Sequence, residues 1–125
     1  MKKDFRWISF VVTIAVAIFI FYMSSLPAEK TENLGPTFPF KSVIYHFAIF
    51  FILGFFLLIF LVRGKKMEYV FLGIFISLLY AIFDEVHQFF VPGRCCSFGD
   101  ILTDFAGILV AGGIYFWERT YGICK

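Results

Sequence analysis

Four long apolar stretches constrain this chain more than any other feature of its sequence. They are residues 7–26, 42–62, 69–83 and 101–117, and the only formally charged side chain within them is Asp104. A helix needs about 20 apolar residues to cross a hydrocarbon layer of roughly 30 Å, and backbone exposed to lipid must satisfy its own hydrogen bonds. The sequence therefore predicts an all-α fold, a four-helix transmembrane bundle in a single domain over residues 1–125, with helices at about 7–26, 42–62, 68–91 and 98–118.

The composition excludes several other classes of protein. Hydrophobic residues make up 61% of the chain and charged residues 16%, whereas soluble proteins average about 45–50% and about 25%. A soluble domain of 125 residues has too little interior to bury so much apolar area. The formal net charge is only +2, which gives no basic surface for nucleic acid. We therefore expect membrane lipids as partners and no nucleic acid.

The connections between the apolar stretches carry residues typical of turns and helix starts. The first connection contains four residues that disfavour helix, and it is predicted to be non-helical: Pro27, Gly35, Pro36 and Pro39. Pro92-Gly93 is a turn dipeptide. Ser97, three residues before Asp100, resembles the N-cap of the fourth helix.

The three cysteines do not indicate a disulfide framework. Cys95 and Cys96 are neighbours in sequence, and adjacent cysteines rarely meet the geometry of a disulfide. Cys124 lies far from both along the chain. We predict no structural disulfide, and the role of the Cys95/Cys96 pair as a reactive or metal-binding pair stays open.

The distribution of lysine and arginine predicts the orientation in the membrane. One side of the predicted bundle carries eight: Lys2, Lys3, Arg6, Arg63, Lys65, Lys66, Arg119 and Lys125. The other side carries three: Lys30, Lys41 and Arg94. Because basic loops stay in the cytoplasm, we expect a multi-pass plasma-membrane protein with both termini cytoplasmic. The first apolar run is longer than the core of a cleaved signal peptide, so we expect it to be retained.

Polar residues that are far apart in sequence are predicted to meet at the outer end of this bundle. They form the candidate ligand-binding set: His46, Asp84, Glu85, His87, Gln88, Arg94, Ser97, Asp100 and Asp104. Small residues are predicted to let neighbouring helices approach: Gly73, Gly107 and Ala111. Ionisable residues within a membrane are costly and usually mark a functional site. This convergence predicts a polar pocket open to the non-cytoplasmic side.

The inventory of this pocket is compatible with several chemistries. Paired acids and histidine suit acid–base catalysis on a headgroup, with Glu85, His87 and Asp84 as candidate catalytic residues. Histidines with carboxylates also suit a divalent metal, although no tight ligand spacing is present. A small proton-coupled exporter is a further alternative, and so is a structural ion network in which Arg94 or His46 neutralises Asp104 and Asp84. Whether the chain is an enzyme, which cofactor it takes and its oligomeric state stay open.

The polar residues of the third and fourth helices are similar to a family motif. The stretch from Asp84 to Arg94, followed by Ser97, Asp100, Asp104 and Gly107, resembles the pattern D-E-x-x-Q-x-x-x-x-x-R, then S-x-x-D-x-x-x-N-x-x-G, of the VanZ-like membrane proteins. His46, with Leu53 and Gly54 after it, fits the histidine helix of that family, and Ser25 and Pro27 resemble its opening. The similarity extends over nearly the whole chain.

The resemblance implies a role at the cell envelope, and two departures from the pattern qualify it. The family usually has asparagine at the position of Asp104, and it often has a lysine where this chain has Val43 or Ile44. The family takes its name from a protein linked to resistance to teicoplanin, a lipoglycopeptide antibiotic. We therefore expect a pocket that engages a lipid headgroup, a lipid-linked precursor or a lipoglycopeptide; a membrane-embedded hydrolase or transferase of a lipid-linked substrate is the alternative.

Overall fold

The long helices of the structure coincide with the four apolar stretches. A computed structural model describes residues 3–34, 40–63, 66–94 and 97–122, and every regular element in this part of the chain is helical. The helices are α1 (Lys3–Ser25), α2 (Ala28–Glu32), α3 (Lys41–Val62), α4 (Glu68–Phe89) and α5 (Phe98–Tyr121). The long helices have 22 to 24 residues and are apolar enough to cross a membrane. The prediction of an all-α fold with four spans is confirmed, although α1 begins four residues earlier and α5 ends three residues later than expected.

The prediction that the first connection is not helical is wrong for its first half. Ala28–Glu32 forms the short helix α2 directly after Pro27, whose φ is −58°. The proline ring holds φ near the helical value, and the Pro27 carbonyl accepts hydrogen bonds from the amides of Lys30 and Thr31. Proline here begins a helix rather than preventing one. The predictions for these residues lie outside the described part of the chain: Gly35, Pro36, Pro39, Cys95, Cys96 and Cys124.

Helix α3 lies at the centre of the bundle and contacts α1, α4 and α5. Its contact with α5 is close because both helices carry small residues there. A Cβ atom at Gly107 would overlap the carbonyl oxygen of Phe47 and would lie 3.1 Å from the amide nitrogen of Phe51. Gly54 faces Ala111 across the same interface. Small residues of this kind allow helices to pack tightly in lipid, where apolar attraction between helices is weak.

Two apolar clusters fill the space between the helices at different levels of the bundle. The first consists of Ile20, Phe50, Leu53, Ala81 and Ile108. The second consists of Leu58, Val62 and Val70. The predicted packing residue Gly73 lies beside the second cluster, where a Cβ atom would meet the Leu58 side chain. The first cluster lies next to the polar end of the bundle, where α1 and α4 end and α3 and α5 begin.

The outer faces of the four long helices are covered with large apolar side chains. Trp7 on α1 is 56% exposed, Phe71 on α4 is 69% exposed and Leu109 on α5 is 55% exposed. Exposed apolar surface of this extent is unfavourable in water. The outer surface of the bundle is therefore suited to lipid.

Candidate functional site

His46 and Asp104 form a buried pair between α3 and α5. A hydrogen bond of 2.8 Å joins His46 Nδ1 to Asp104 Oδ1, and the two residues are 4% and 0% exposed. The other imidazole nitrogen, Nε2, lies 3.9 Å from Oδ2 of Asp100, one turn earlier on α5. The spacing of four residues places both aspartates on one face of α5. His46, 58 positions away in sequence, meets that face because α3 packs so closely on α5.

Glu85 joins this pair from α4 and connects it to the start of α5. The residue is fully buried, and its Oε2 accepts a hydrogen bond of 3.2 Å from the backbone N–H of Ser97. Ser97 Oγ accepts a hydrogen bond from the backbone N–H of Asp100 at 3.4 Å, so Ser97 is the N-cap of α5, as its spacing from Asp100 predicts. One ligand atom from each of His46, Glu85 and Asp104 lies within 4.8 Å of the others. The structure thus gathers a histidine and two carboxylates from three helices.

Asp84 and Gln88 lie one turn apart on the same buried face of α4. Gln88 Nε2 donates a hydrogen bond of 3.1 Å to Asp84 Oδ2. Ser24, near the end of α1, donates a hydrogen bond of 3.5 Å to the backbone carbonyl of Asp84. Both side chains face a cavity rather than lipid.

Arg94 donates hydrogen bonds to backbone carbonyls at the end of α1. Its Nε donates to the Leu26 carbonyl at 3.1 Å and its Nη2 donates to the Met23 carbonyl at 3.0 Å. Within the described ranges, no ion pair joins the guanidinium to Asp84 or Asp104. Of the two residues considered as neutralising Asp104, the structure pairs it with His46. Arg94 instead caps carbonyls at the end of α1 while still lining the cavity.

His87 lies away from the His46–Asp104 pair, on the side of α4 that faces α1. Its Nε2 is 2.9 Å from Ser25 Oγ, and its ring stacks on Phe21 with the ring centres 4.6 Å apart. The two histidines therefore do not share a site. Of the candidate set, the structure brings His46, Glu85, Ser97, Asp100 and Asp104 together, places Asp84, Gln88 and Arg94 beside them, and separates His87.

A cavity of about 790 Å³ lies between α1, α2, α3 and α4. Apolar residues form much of its wall: Phe19, Ile20, Met23, Leu34 and Phe50. Polar and charged residues form the remainder: Ser24, Thr31, Glu32, Lys41, Ser42, Tyr45, His46, Asp84, Gln88 and Arg94. His46 belongs both to this wall and to the buried pair, so it separates the cavity from Asp104.

Sequence reasoning did not find several polar residues of the wall. Glu32 and Thr31 belong to the α2 segment, which was not expected to be ordered as a helix against the bundle. Tyr45 precedes His46 and has the appearance of an ordinary aromatic residue of a membrane helix. Lys41, at the first position of α3, has a charge that bears on orientation but gives no sign of a cavity residue; its Nζ donates to the Leu34 carbonyl. The position of Tyr45 next to the single histidine of its helix was the one available signal.

Comparison with known proteins gives one match. Neither a curated protein nor a solved structure matches the chain. The profile of the VanZ/LLP1 family matches residues 9–119, which include α3 and α4, most of α1 and α5, and every member of the candidate site. This chain belongs to the VanZ/LLP1 family.

Proposed function

We propose that this chain is a VanZ-like plasma-membrane protein whose pocket faces the cell exterior and binds the polar head of an envelope amphiphile. The cavity between α1, α2, α3 and α4 is the observation that carries this proposal. Its volume of about 790 Å³ falls within the range of about 300–1,000 Å³ that is usual for small-molecule sites. The ligand classes that fit are a lipid headgroup, a lipid-linked precursor and a lipoglycopeptide.

The lining of the cavity is amphiphilic, as such a ligand requires. Phe19, Met23 and Leu34 offer apolar contacts for an acyl or prenyl chain. Asp84 and Gln88 also line the cavity and can accept and donate hydrogen bonds there. An amphiphile buries its chain against the first group while its head meets the second.

The charges on the wall favour a head that carries both signs or many hydroxyl groups. Lys41 and Arg94 are cationic, whereas Glu32 and Asp84 are acidic. An anionic phosphate alone would meet both attraction and repulsion in such a site. A phosphate combined with a sugar or an amine, or a lipoglycopeptide with amines and carboxylates, complements both sets of charges.

The outward orientation rests on the distribution of basic residues. The end of the bundle that bears the cavity carries Lys30, Lys41 and Arg94, and the other eight lysines and arginines of the sequence fall in the termini and the second loop, which are predicted to lie on the opposite side. By the positive-inside rule, the cavity end faces outward and both termini lie in the cytoplasm. A pocket there meets envelope lipids and antibiotics directly, and a contribution to teicoplanin resistance follows from binding the drug or its target.

The test is binding to the purified full chain in lipid nanodiscs. A short-chain polyprenyl diphosphate, phosphatidylglycerol and teicoplanin are titrated separately against the wild type, Asp84→Asn and Lys41→Gln. Lys66→Gln is the matched control, because Lys66 lies at the opposite end of the bundle. We expect one probe to bind and each pocket variant to weaken it roughly tenfold, the loss of about one hydrogen bond to a charged group. The proposal fails if no probe binds, or if both pocket variants bind as Lys66→Gln does.

The position of His46 in the cavity wall, with Asp104 hydrogen-bonded behind it, favours a second function, a membrane-embedded hydrolase or transferase. An imidazole held by a carboxylate and facing a substrate cavity is suited to proton transfer. The same nanodisc samples are assayed for release of phosphate from the polyprenyl diphosphate. Turnover that is lost in His46→Gln and kept in His87→Ala would establish the enzyme; binding without turnover would leave the first proposal.

A further inference from the structure

We propose that His46, Glu85 and Asp104 form a binding site for one divalent metal ion, with Zn²⁺ as the ion that the donor set suits best. The site adjoins the amphiphile cavity: His46 belongs to both, whereas Glu85 and Asp104 do not line the cavity. It does not depend on the proposed binding of an amphiphile.

The three side chains are already close to the spacing that a metal ion requires. One ligand atom from each residue lies within 4.8 Å of the others. Two ligand atoms of a tetrahedral Zn²⁺ site, each about 2.0–2.2 Å from the ion, are about 3.3–3.6 Å apart. Two atoms at the 4.8 Å limit must therefore approach each other by about 1.2–1.5 Å to share one coordination sphere, which side-chain rotation can supply. Three protein ligands and an open fourth position are typical of functional zinc sites.

Two buried carboxylate oxygens in this cluster lack a hydrogen-bond partner among the described residues. They are Oε1 of Glu85 and Oδ2 of Asp104, and both residues are 0% exposed. The second oxygen of each carboxylate is satisfied, by the Ser97 amide and by His46 respectively. Unpaired buried polar atoms are rare and cost free energy. A cation bound by both oxygens removes this cost at both positions.

The balance of charge in the cluster also favours a divalent cation. Two carboxylates share a single imidazole, and no lysine or arginine of the described ranges forms an ion pair with either. A buried charge requires a partner of opposite sign or a metal. Zn²⁺ accepts nitrogen and oxygen ligands together, whereas Mg²⁺ prefers oxygen ligands and keeps its waters.

Asp100 lies beside the three proposed ligands. Asp100 Oδ2 lies 3.9 Å from His46 Nε2, and its side chain is 26% exposed, so the polar cluster is partly accessible at Asp100. The family pattern that this chain resembles usually has asparagine at the position of Asp104. Asp104→Asn is therefore a variant that keeps the shape of the side chain and restores the family residue.

The test is zinc binding to the full chain purified in detergent without a polyhistidine tag. The protein is stripped with EDTA and exchanged into metal-free buffer. Zn²⁺, Mn²⁺ and Mg²⁺ are then titrated separately by calorimetry, and the bound metal is counted by mass spectrometry. Glu85→Gln and Asp104→Asn remove one ligand each. His87→Ala is the matched control, since it removes the histidine that lies outside the cluster, and a Cys95→Ser/Cys96→Ser/Cys124→Ser variant excludes binding by thiols.

We expect one Zn²⁺ per chain, bound at least about 100-fold more weakly by either acid variant. The His87→Ala and cysteine-free variants should bind as the wild type does. Zn²⁺ should also raise the melting temperature of the wild type and leave that of Asp104→Asn unchanged. If one acid variant fails to fold, the other and Glu85→Asp, which keeps the charge with a shorter reach, supply the comparison.

Three results would overturn the proposal. The first is less than one tightly bound Zn²⁺ per chain. The second is equal affinity in the wild type and the folded acid variants. The third is binding that disappears in the cysteine-free variant, because thiols would then hold the ion. A preference for Mn²⁺ at the same residues would support the site and correct the identity of the ion.

Discussion

The close approach of α3 and α5 at Gly107 makes a sharp prediction about stability. A Cβ atom at this position would overlap the Phe47 carbonyl oxygen and would lie 3.3 Å from the carbonyl carbon of the same residue. The obstacle is backbone, which has no rotamer by which to move away. Gly107→Ala must therefore push α3 and α5 apart close to the His46–Asp104 pair.

The magnitude follows from two opposing effects. Overpacking a tight interface costs about 1–3 kcal/mol, and a rigid backbone neighbour favours the upper end of that range. Replacing glycine by alanine within a helix contributes up to about 1 kcal/mol in the other direction. We expect Gly107→Ala to lower the free energy of unfolding by about 2 kcal/mol, the difference between these two values. Since Gly107 is three residues from Asp104, the same separation should weaken the bond to His46.

The assay is reversible unfolding of the purified chain in mixed micelles, by titration with a denaturing detergent and far-UV circular dichroism. Two glycines provide matched controls for the same chemical change. A Cβ atom at Gly113 meets nothing within 4 Å, and one at Gly54 meets Ala111 Cβ at an ordinary 3.6 Å. Gly113→Ala should be neutral or slightly stabilising, and Gly54→Ala should fall between the other two.

The order of the three variants in free energy of unfolding tests whether α3 and α5 are in close contact at Gly107. If Gly107→Ala unfolds within about 0.5 kcal/mol of Gly113→Ala, the usual spread of neutral surface changes, the tight α3–α5 contact does not exist in the membrane protein. A loss of similar size in Gly54→Ala would place the tight contact elsewhere along the interface.

The remaining predictions concern single contacts of the site and share the unfolding assay. Ser97→Ala removes the N-cap of α5 and should lower the free energy of unfolding by about 1 kcal/mol; an unchanged free energy would show that the cap does not stabilise the protein. Arg94→Lys cannot reach two carbonyls at the end of α1 and should cost about 2 kcal/mol, whereas equal stability would dismiss the capping role. His87→Ala removes the hydrogen bond to Ser25 and should lower the free energy of unfolding by about 1 kcal/mol. Its Zn²⁺ affinity should be unchanged, and weaker Zn²⁺ binding would show that His87 belongs to the metal site. Zn²⁺ affinity at His46 should fall as the pH is lowered, because protons compete for the ligands, and calorimetry at several pH values measures this.

The number and extent of the long helices were predictable because membrane thickness sets a minimum length for an apolar run. The polar residues that share one face within α4, or within α5, were also predictable. Spacing by four places Asp84 beside Gln88 and Asp100 beside Asp104 on any helix, independent of tertiary contacts. Such local regularities need no knowledge of the neighbouring helices.

The side of each helix that meets a given neighbour was not predictable in the same way. Helical phase places His87 and Asp84 within about 60° of each other, yet α1 packs on one side of this face and α3 on the other. His87 consequently meets Ser25, while Asp84 faces the cavity. The sequence likewise does not decide whether Arg94 pairs with an acidic side chain or with backbone carbonyls. The end of α1, whose last carbonyls have no partner in their own helix, is what the guanidinium meets in three dimensions.

The division of the bundle into a polar end and an apolar end has a mechanical consequence. Lipid tails solvate Leu58, Val62 and Val70 about as well as the neighbouring helices do, so parting the helices at that level costs little. Parting them at His46 and Asp104 would leave two buried polar side chains without their hydrogen-bond partners. On heating, the helices should therefore separate first at the leucines and valines, and the hydrogen bond between the imidazole and the carboxylate should break last.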